Sequence, residues 1–518
     1  MNFTGIVSIF NRLYSGSFLE EEDLEAKDLR RYIIITGIAV FTFSTFTFLA
    51  LADKNKRLQN ACDSKSHYLI KFWSNLGADV DHVVREAYKS NKIGTMQILF
   101  NRGADLNMVG DDGKSLLHLA CESGNLDVAR LLLGYDETVL AISDKETVST
   151  PLRVASKHGC EDLVEYLLTS GAEVDALSGG VWLRGRCCIY DKYDKRRKGR
   201  TPLYVACSNG HTNVAKLLLD KRANIEATSP EIIRTFPYNH AMTALHAACR
   251  NGHYETAELL LDRGAKIEAV DRREDTALHI ACRNGKKNIV ELLLDRGANV
   301  EAKNCRGISS GGEDTPLHIA CEKDEGEIVE LLIKRKADPN AKNGDGRTPL
   351  FVYCEQKGKW SPDLATILLE AGADINVREE ILSKDTILDA CLSRRHWNRI
   401  RFLVSKGADL ENCSSFNFSN ALKDVCAAGH EDLVELLVNG LSKSPHLQTM
   451  INALVYPPTG FLNSYVRVTV LEVASKFGHE GIVKILLAHG ATTIRNAIDV
   501  AKQEGHMNIV VLLRAHEK

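Results

Sequence analysis

Histidine, cysteine and serine are the side chains in this sequence that could do chemistry, and their spacing decides what that chemistry would be. His246 and His279 lie 33 residues apart, each inside the phrase Thr-Ala-Leu-His, and His318 follows in Thr-Pro-Leu-His. Imidazole is a common zinc ligand, but a metal site gathers several donors at one point. One histidine per phrase, at a fixed internal position, reads instead as a hydrogen-bonding structural residue. Cysteines recur as well: Cys121, Cys207, Cys249, Cys282 and Cys321 each follow an alanine at the same place in the phrase. Their regular spacing makes neighbours poor disulfide partners. There is no CxxC pair, and adjacent Cys187 and Cys188 lack the second pair that a zinc site needs. These thiols read as small core residues, which suits a reducing compartment.

Serine offers one formal match to a nucleophile motif, Gly307-Ile-Ser309-Ser-Gly311. A nucleophile elbow needs a buried strand before it and a helix directly after it. This string sits in a polar linker between two copies of the repeated phrase, so no catalytic residue is assigned. Neither a phosphate-binding G-x-x-x-x-G-K nor a metalloprotease H-E-x-x-H occurs. The strongest charge feature is Lys195, Arg196, Arg197 and Lys198 in the run KRRKGR. That run resembles a nuclear-import signal or a patch for an acidic partner, and its plain reading is a solvated basic loop.

The charge balance narrows the function classes. With 65 basic and 68 acidic residues, the 518-residue chain has a formal net charge of −3. Phosphate contacts usually demand a surplus of Lys and Arg, so a nucleic-acid partner is not expected. Hydrophobic residues at 44% and charged residues at 26% describe a folded chain.

The elements that must position these side chains come from the repetition itself. Thr243-Ala-Leu-His-Ala-Ala-Cys-Arg-Asn-Gly-His253, Thr276 to Gly285 and Thr315 to Cys321 are copies of one phrase. Apolar runs ending in Gly-Ala follow them: Leu259 to Ala265, Leu292 to Ala298, and Leu331 to Ala337, which has Lys336 in place of the glycine. Threonine suits a helix N-cap, and Pro151, Pro202, Pro316 and Pro349 stand directly after it, where a missing N–H costs nothing. Leucine and alanine then form a narrow stripe that lets helices approach closely. Glycine ends the first helix, and runs such as Ile289 to Leu294 give the second its apolar face.

This pattern resembles the ankyrin repeat, whose signature is T-P-L-H-x-A, then G-H, then an apolar helix ending in G-A. The likeness covers roughly residues 57 to 518, in about thirteen copies with degenerate ones near Arg57, His82, Asp385, Phe418 and Thr493. It implies an all-α repeat solenoid of stacked helix-turn-helix units with hairpin-like links. A main array is expected over 57–440, with insertions near 178–199, 229–241 and 305–313. Residues 441–467 then form a further insertion, either bulging outwards or setting off a separate segment, and 468–518 supply C-terminal repeats and a cap.

The resemblance also implies a concave protein-binding surface made of hairpin tips and the exposed ends of first helices. Mapped onto this chain, the tips present Asp111, Asp112, Arg272, Arg273, Gly344 and Asp345. The helix ends present Ser208 with Asn209, Arg250 with Asn251, Arg283 with Asn284, and Glu322 with Lys323. Arg250, Arg272, Arg273 and Arg283 are expected to cluster and to favour an acidic partner segment. No cofactor, metal or small-molecule substrate is implied.

The stretch Tyr32 to Ala52 carries no charged side chain. As a helix it would span about 31 Å, close to the ~30 Å of a bilayer core, with basic residues on both flanks. It is expected to be a single membrane span after an acidic N-terminal segment, 1–31, expected to be disordered, with the array facing the cytosol. The leading expectation is therefore a membrane-tethered, non-enzymatic adaptor. Two other readings are a soluble or secreted effector of a pathogen or symbiont that binds host proteins, and a membrane–cytoskeleton linker.

Overall fold

The computed structural model describes residues 54–517 apart from 65–66, 76, 111–112, 142–148, 177–180, 184–185, 189–199, 232–239, 306–311, 357, 359, 380–383, 443 and 457–466. The chain divides into two compact units: residues 1–111 with 127–139, and residues 112–126 with 140–518.

In the first unit, helices Lys54–Asp63, His67–Asn75, Val80–Lys89 and Ile93–Phe100 bury Leu58, Cys62, Val83, Val84, Met96 and Leu99 between them. Asp63 ties the outer pair to the next. It accepts from Lys92 Nζ at 2.6 Å and from Thr95 Oγ1 at 2.9 Å, and the Lys92 bond holds its carboxyl below the usual range. Tyr135 donates to Asn101 Oδ1 at 2.6 Å and meets the Phe100 ring edge-on.

The second unit repeats one helix pair. After Leu116–Ser123, the pairs are Pro151–His158 with Glu161–Thr169, Pro202–Ser208 with Thr212–Asp220, Ala244–Asn251 with Tyr254–Asp262, and Ala277–Arg283 with Lys287–Asp295. They continue with Pro316–Glu322 and Gly326–Lys334, Pro349–Glu355 and Pro362–Glu370, Ile387–Ser393 and Trp397–Ser405, Ser415–Ala428 and Glu431–Gly440. Val470–Lys476 with Glu480–Ala488 and Ile494–Gln503 with Met507–His516 complete the series. First helices pack on first helices and second helices on second helices, giving two layers. The first layer is thin because its buried stripe is small: Ala247, Ala248 and Cys249, then Ala281 and Cys282, then Ala320 and Cys321 are all at most 2% exposed. The second layer is filled by branched residues such as Ile289, Val290 and Leu293.

Each first helix starts on the expected cap. Thr150, Thr201, Thr243, Thr276, Thr315 and Thr348 are all N-caps, with Pro following where the sequence places it. Gly252 ends its helix at φ 84°, in the left-handed region where a Cβ is strained. The links are hairpin-like: Val270 bridges Thr276, and Arg378 bridges Thr386. Two short antiparallel pairs lie in the insertions, Val181–Leu183 with Arg186–Cys188 and Ser229–Glu231 with His240–Met242. The fold is thus the expected all-α repeat solenoid.

The insertion at 441–467 leaves the stack continuous. Helix Ser415–Ala428 packs on Val470–Lys476, and Glu431–Gly440 packs on Glu480–Ala488. Part of the inserted chain forms the short helix Leu447–Ile451, whose Leu447, Met450 and Ile451 are buried.

The membrane placement requires correction. Among the described residues no helix is long and apolar enough to cross a membrane. The longest, Ser415–Ala428, has 14 residues, about 21 Å of rise where ~30 Å is needed. Residues 32–52, on which the expected span rested, lie outside the described residues, so the single-pass assignment has no structural support.

Candidate protein-binding face

The repeated histidines are structural, and the geometry assigns their tautomer. The Thr243 amide donates to His246 Nδ1 at 3.1 Å, which leaves the ring proton on Nε2 to donate to the Ala269 carbonyl at 3.0 Å. His279 does the same between Thr276 and the Asp314 carbonyl, and His318 between Thr315 and the Arg347 carbonyl. Each ring therefore joins its own helix start to the link that follows. Burial pushes all three imidazoles below their usual range, because a charged ring would be desolvated there. The thiols are equally structural. Cys121, Cys207, Cys249, Cys282 and Cys321 are free and buried, and burial pushes each one up.

A chain of polar side chains runs along the loop tips beside these histidines. Asp271, Asn304, Asn343 and Glu379 occupy the same place in successive loops. The first three close their own loops: Asp271 accepts from the amides of Arg273 and Asp275, Asn304 from Asp314, and Asn343 from Asp345 and Arg347. The later members also reach back one repeat, to the residue just before the capping threonine. Asn304 donates to Asp275 at 2.6 Å and Asn343 donates to Asp314 at 2.8 Å. One repeat further the polarity is exchanged, and Arg347 donates to Glu379 at 2.6 and 2.9 Å. Backbone bonds lace the same tips, from Cys305 N to Arg273 O and from Gly344 N to Gly312 O.

Beside this ladder lies a cleft of about 320 Å³, lined by loop residues Asp314, Asn343, Asp345 and Arg347 and by helix-end residues Glu322, Glu355, Gln356 and Arg394. Successive repeats supply its walls. Arg347 anchors the floor, pairing with Glu355 at 2.8 Å and with Glu379, which is 3% exposed. Arg394 pairs with the other oxygen of Glu355.

The structure distributes the residues expected to meet a partner as follows. Glu322 and Asp345 come together in the cleft, and Lys323 and Gly344 adjoin it. Arg272 is exposed and Arg273 half-buried on the preceding loop. Arg283 is engaged elsewhere: its guanidinium holds Asp275, whose side chain is 1% exposed. Burial works against both charges, but the hydrogen bonds and attraction between them win. Asp275 ends below and Arg283 above the usual range. Asn251 donates to the Ser208 carbonyl and hydroxyl at 2.6 and 3.1 Å, while Asn209 and Asn284 turn back onto their own helices. Arg250 is half-buried. Asp111, Asp112 and Lys195 to Lys198 lie outside the described residues, as do Gly307, Ser309 and Gly311.

The ladder itself was missed by reading the phrases alone. Its signal is a column of Asp, Asn, Asn and Glu preceding a second column of Asp275, Asp314 and Arg347. Also missed was Arg399, a buried guanidinium 4% exposed, at a helix position that is Val214, Ile289, Ile328 and Leu433 in other repeats.

Comparison with known proteins agrees with this architecture. Family models described as ankyrin repeats match residues 84–178, 231–304 and 303–379 (as three copies) and 152–219 (as many copies), more than half of the chain. The chain is 28% identical over 215 residues to the human ankyrin repeat and SOCS box protein 16, covering 37% of this chain and 47% of that protein. It is 32% identical over 144 residues to a putative ankyrin repeat protein of Rickettsia felis, covering 28% of this chain and 53% of that one. These matches span about half the length of either relative. Among solved structures, the ankyrin repeat domain of Bcl-3 is 29% identical with a TM-score of 0.38, covering 50% of this chain and 100% of that chain. The chain belongs to the ankyrin-repeat family.

Proposed function

We propose that this chain is a non-enzymatic scaffold that binds another protein across the loop tips and first-helix ends of its larger unit, with the cleft around Arg347 as the anchor. Ankyrin-repeat proteins are in general interaction modules, and that supports the class of function. The observation that carries the finer reading is the cleft: loop and helix residues of successive repeats converge there, and Arg347 is held in it by buried Glu379 and half-buried Glu355. Charged groups already held in place lose little freedom on binding, which favours recognition over non-specific adhesion.

Arg272 and Arg273, on the neighbouring loop, add the positive charge that an acidic stretch of the partner would meet. Arg283 supports that loop through Asp275 rather than reaching outwards. This reading needs no membrane anchor, and in that respect it follows the effector alternative rather than the tethered adaptor. Whether the partner comes from the same cell or from a host is answered by identifying it.

The test is direct. A partner recovered by crosslinking to the full chain is purified, and its affinity is compared for wild type, R272E/R273E and K323E. Loss of about tenfold or more, with unchanged circular dichroism and melting, supports the assigned face. An unchanged Kd for both variants refutes it.

A further inference from the structure

The polar ladder has an outward counterpart. Its members Asp271, Asn304, Asn343 and Glu379 are directly preceded in the chain by Val270, Lys303, Lys342 and Arg378. Neighbours along an extended backbone point to opposite sides. Two of these links are held extended by the bridges from Val270 to Thr276 and from Arg378 to Thr386. Exposure follows that alternation: the ladder residues are buried or half-buried, whereas Val270, Lys303, Lys342 and Arg378 are all exposed. Three successive links therefore turn a cation outwards at the same place in the repeat, making a file along the loop tips.

The surroundings of the file keep its charge available. Arg378 Nη2 donates to the backbone and side-chain oxygens of Asn412 at 3.0 and 2.9 Å, neutral acceptors that fix the guanidinium without cancelling its charge. Lys303 pairs with Glu313 at 2.9 Å, but both side chains are about half exposed, and such a surface pair is weak enough to exchange. Lys342, Arg378 and Lys384 line a second cleft of about 500 Å³ together with Asp374 and Glu379. The cations outnumber the carboxylates there, and Glu379 already takes two bonds from Arg347.

The pitch of the file selects the shape of its ligand. Packed helices stand about 8–10 Å apart, so the links between them, and the cations they carry, recur at about that interval. A polyproline II segment has three residues per turn and rises about 3.1 Å per residue, bringing every third side chain to one face at about 9.3 Å. A β-strand repeats its faces every second residue, about 6.6 Å, and falls out of step. We propose that Lys303, Lys342 and Arg378 dock an extended acidic segment of the protein partner, in the polyproline II conformation, with a carboxylate at every third residue. The proposal rests on the loop-tip reading above and gives that face a partner of stated chemistry. A nucleic acid fits less well, because Glu313 and Asp374 stand beside the cations and repel a continuous run of phosphates. Carboxylates spaced three residues apart meet the cations alone.

The probe is a fluorescently labelled peptide of four Glu-Pro-Pro triplets, compared with an isomer whose four glutamates are consecutive. Fluorescence anisotropy with the full chain should show the triplet peptide binding about fivefold more tightly than the isomer. K342E/R378E should weaken it about tenfold, with melting unchanged, and E313Q, which releases Lys303 from its own ion pair, should tighten it about twofold. Equal affinity for the two peptides, or for an oligothymidylate of the same length, overturns the proposal. So does a triplet peptide that fails to bind at millimolar concentration. The partner recovered by crosslinking separates this failure from that of the face itself. If R272E/R273E weakens that partner and K342E/R378E does not, the loop-tip face stands and the cation file falls. If neither pair of changes alters its Kd, both fall.

Discussion

Arg283 and Asp275 are eight residues apart, and the guanidinium of one grips the carboxylate of the other at 2.5 and 3.0 Å. The aspartate is buried and also takes a hydrogen bond from Asn304 of the next loop. An arginine that looks from its sequence position like a partner contact is therefore a brace for the loop that carries Arg272 and Arg273. Removing it strands a buried charge. Arg283→Ala is expected to cost about 3–5 kcal/mol in urea unfolding. Arg272→Ala, at an exposed position, should stay within about 0.5 kcal/mol. Equal effects would show that Arg283 faces outwards.

The fold was readable because the phrase repeats. Thr caps, Pro at the first helical turn, small stripes and Gly stops all act within one helix pair, so local sequence carries them. The ladder was not readable in the same way, since its bonds join residues 29 to 32 apart in different loops, as in Asn304 to Asp275 and Arg347 to Glu379. Only the contact shows that Asp and Asn at one step are answered by Arg and Glu at another. Arg399 fits the same lesson: it stands where other repeats place Val214 or Ile289, and only the fold shows its guanidinium held by the carbonyls of Cys354 and Gly358.

The exchange of polarity at Arg347 and Glu379 can be reversed. Arg347→Asp alone leaves two facing acids, one of them buried, and Glu379→Asn alone leaves the arginine without its buried partner. Each is expected to destabilise by about 3–5 kcal/mol. The double variant recreates the Asp–Asn pairing of the earlier steps and should recover about 1–3 kcal/mol. Strict additivity of the two single effects, measured by chemical denaturation, would show that the pair is not coupled.

Acid should weaken the array through its buried histidines. His246, His279 and His318 all have ring pKa values lowered by burial, so the unfolded chain takes up protons before the folded one does. Stability is fully present above the ordinary imidazole value of about 6.5 and falls as pH drops from there towards the folded values. Asp275, also lowered, loses its contribution only in the carboxylate range, while Glu472, raised by burial, works in the opposite sense there. Urea midpoints should therefore decline between pH 7 and pH 5.5. They should decline less in a variant carrying H246N, H279N and H318N.

Lys336 offers a stabilising change. It stands at φ 67°, where Gly264, Gly297 and Gly372 serve in other repeats, and its side chain is exposed. A left-handed backbone costs a residue with a Cβ roughly 1–2 kcal/mol. Lys336→Gly is expected to raise stability by about 1 kcal/mol after the added entropy of the unfolded chain. A fall in the unfolding midpoint would show that Lys336 contributes more than its backbone strain costs.

The central claim is that the loop tips and first-helix ends form the binding face. The most direct test places a photo-crosslinking side chain at Lys323, at Arg272, or at Lys216, which is exposed on the second helix Thr212–Asp220. Each full-length variant is irradiated in the presence of its partner. The predicted result is strong adducts from Lys323 and Arg272 and none from Lys216. Adducts from Lys216, with none from the other two, would place the partner on the second-helix layer and contradict the account.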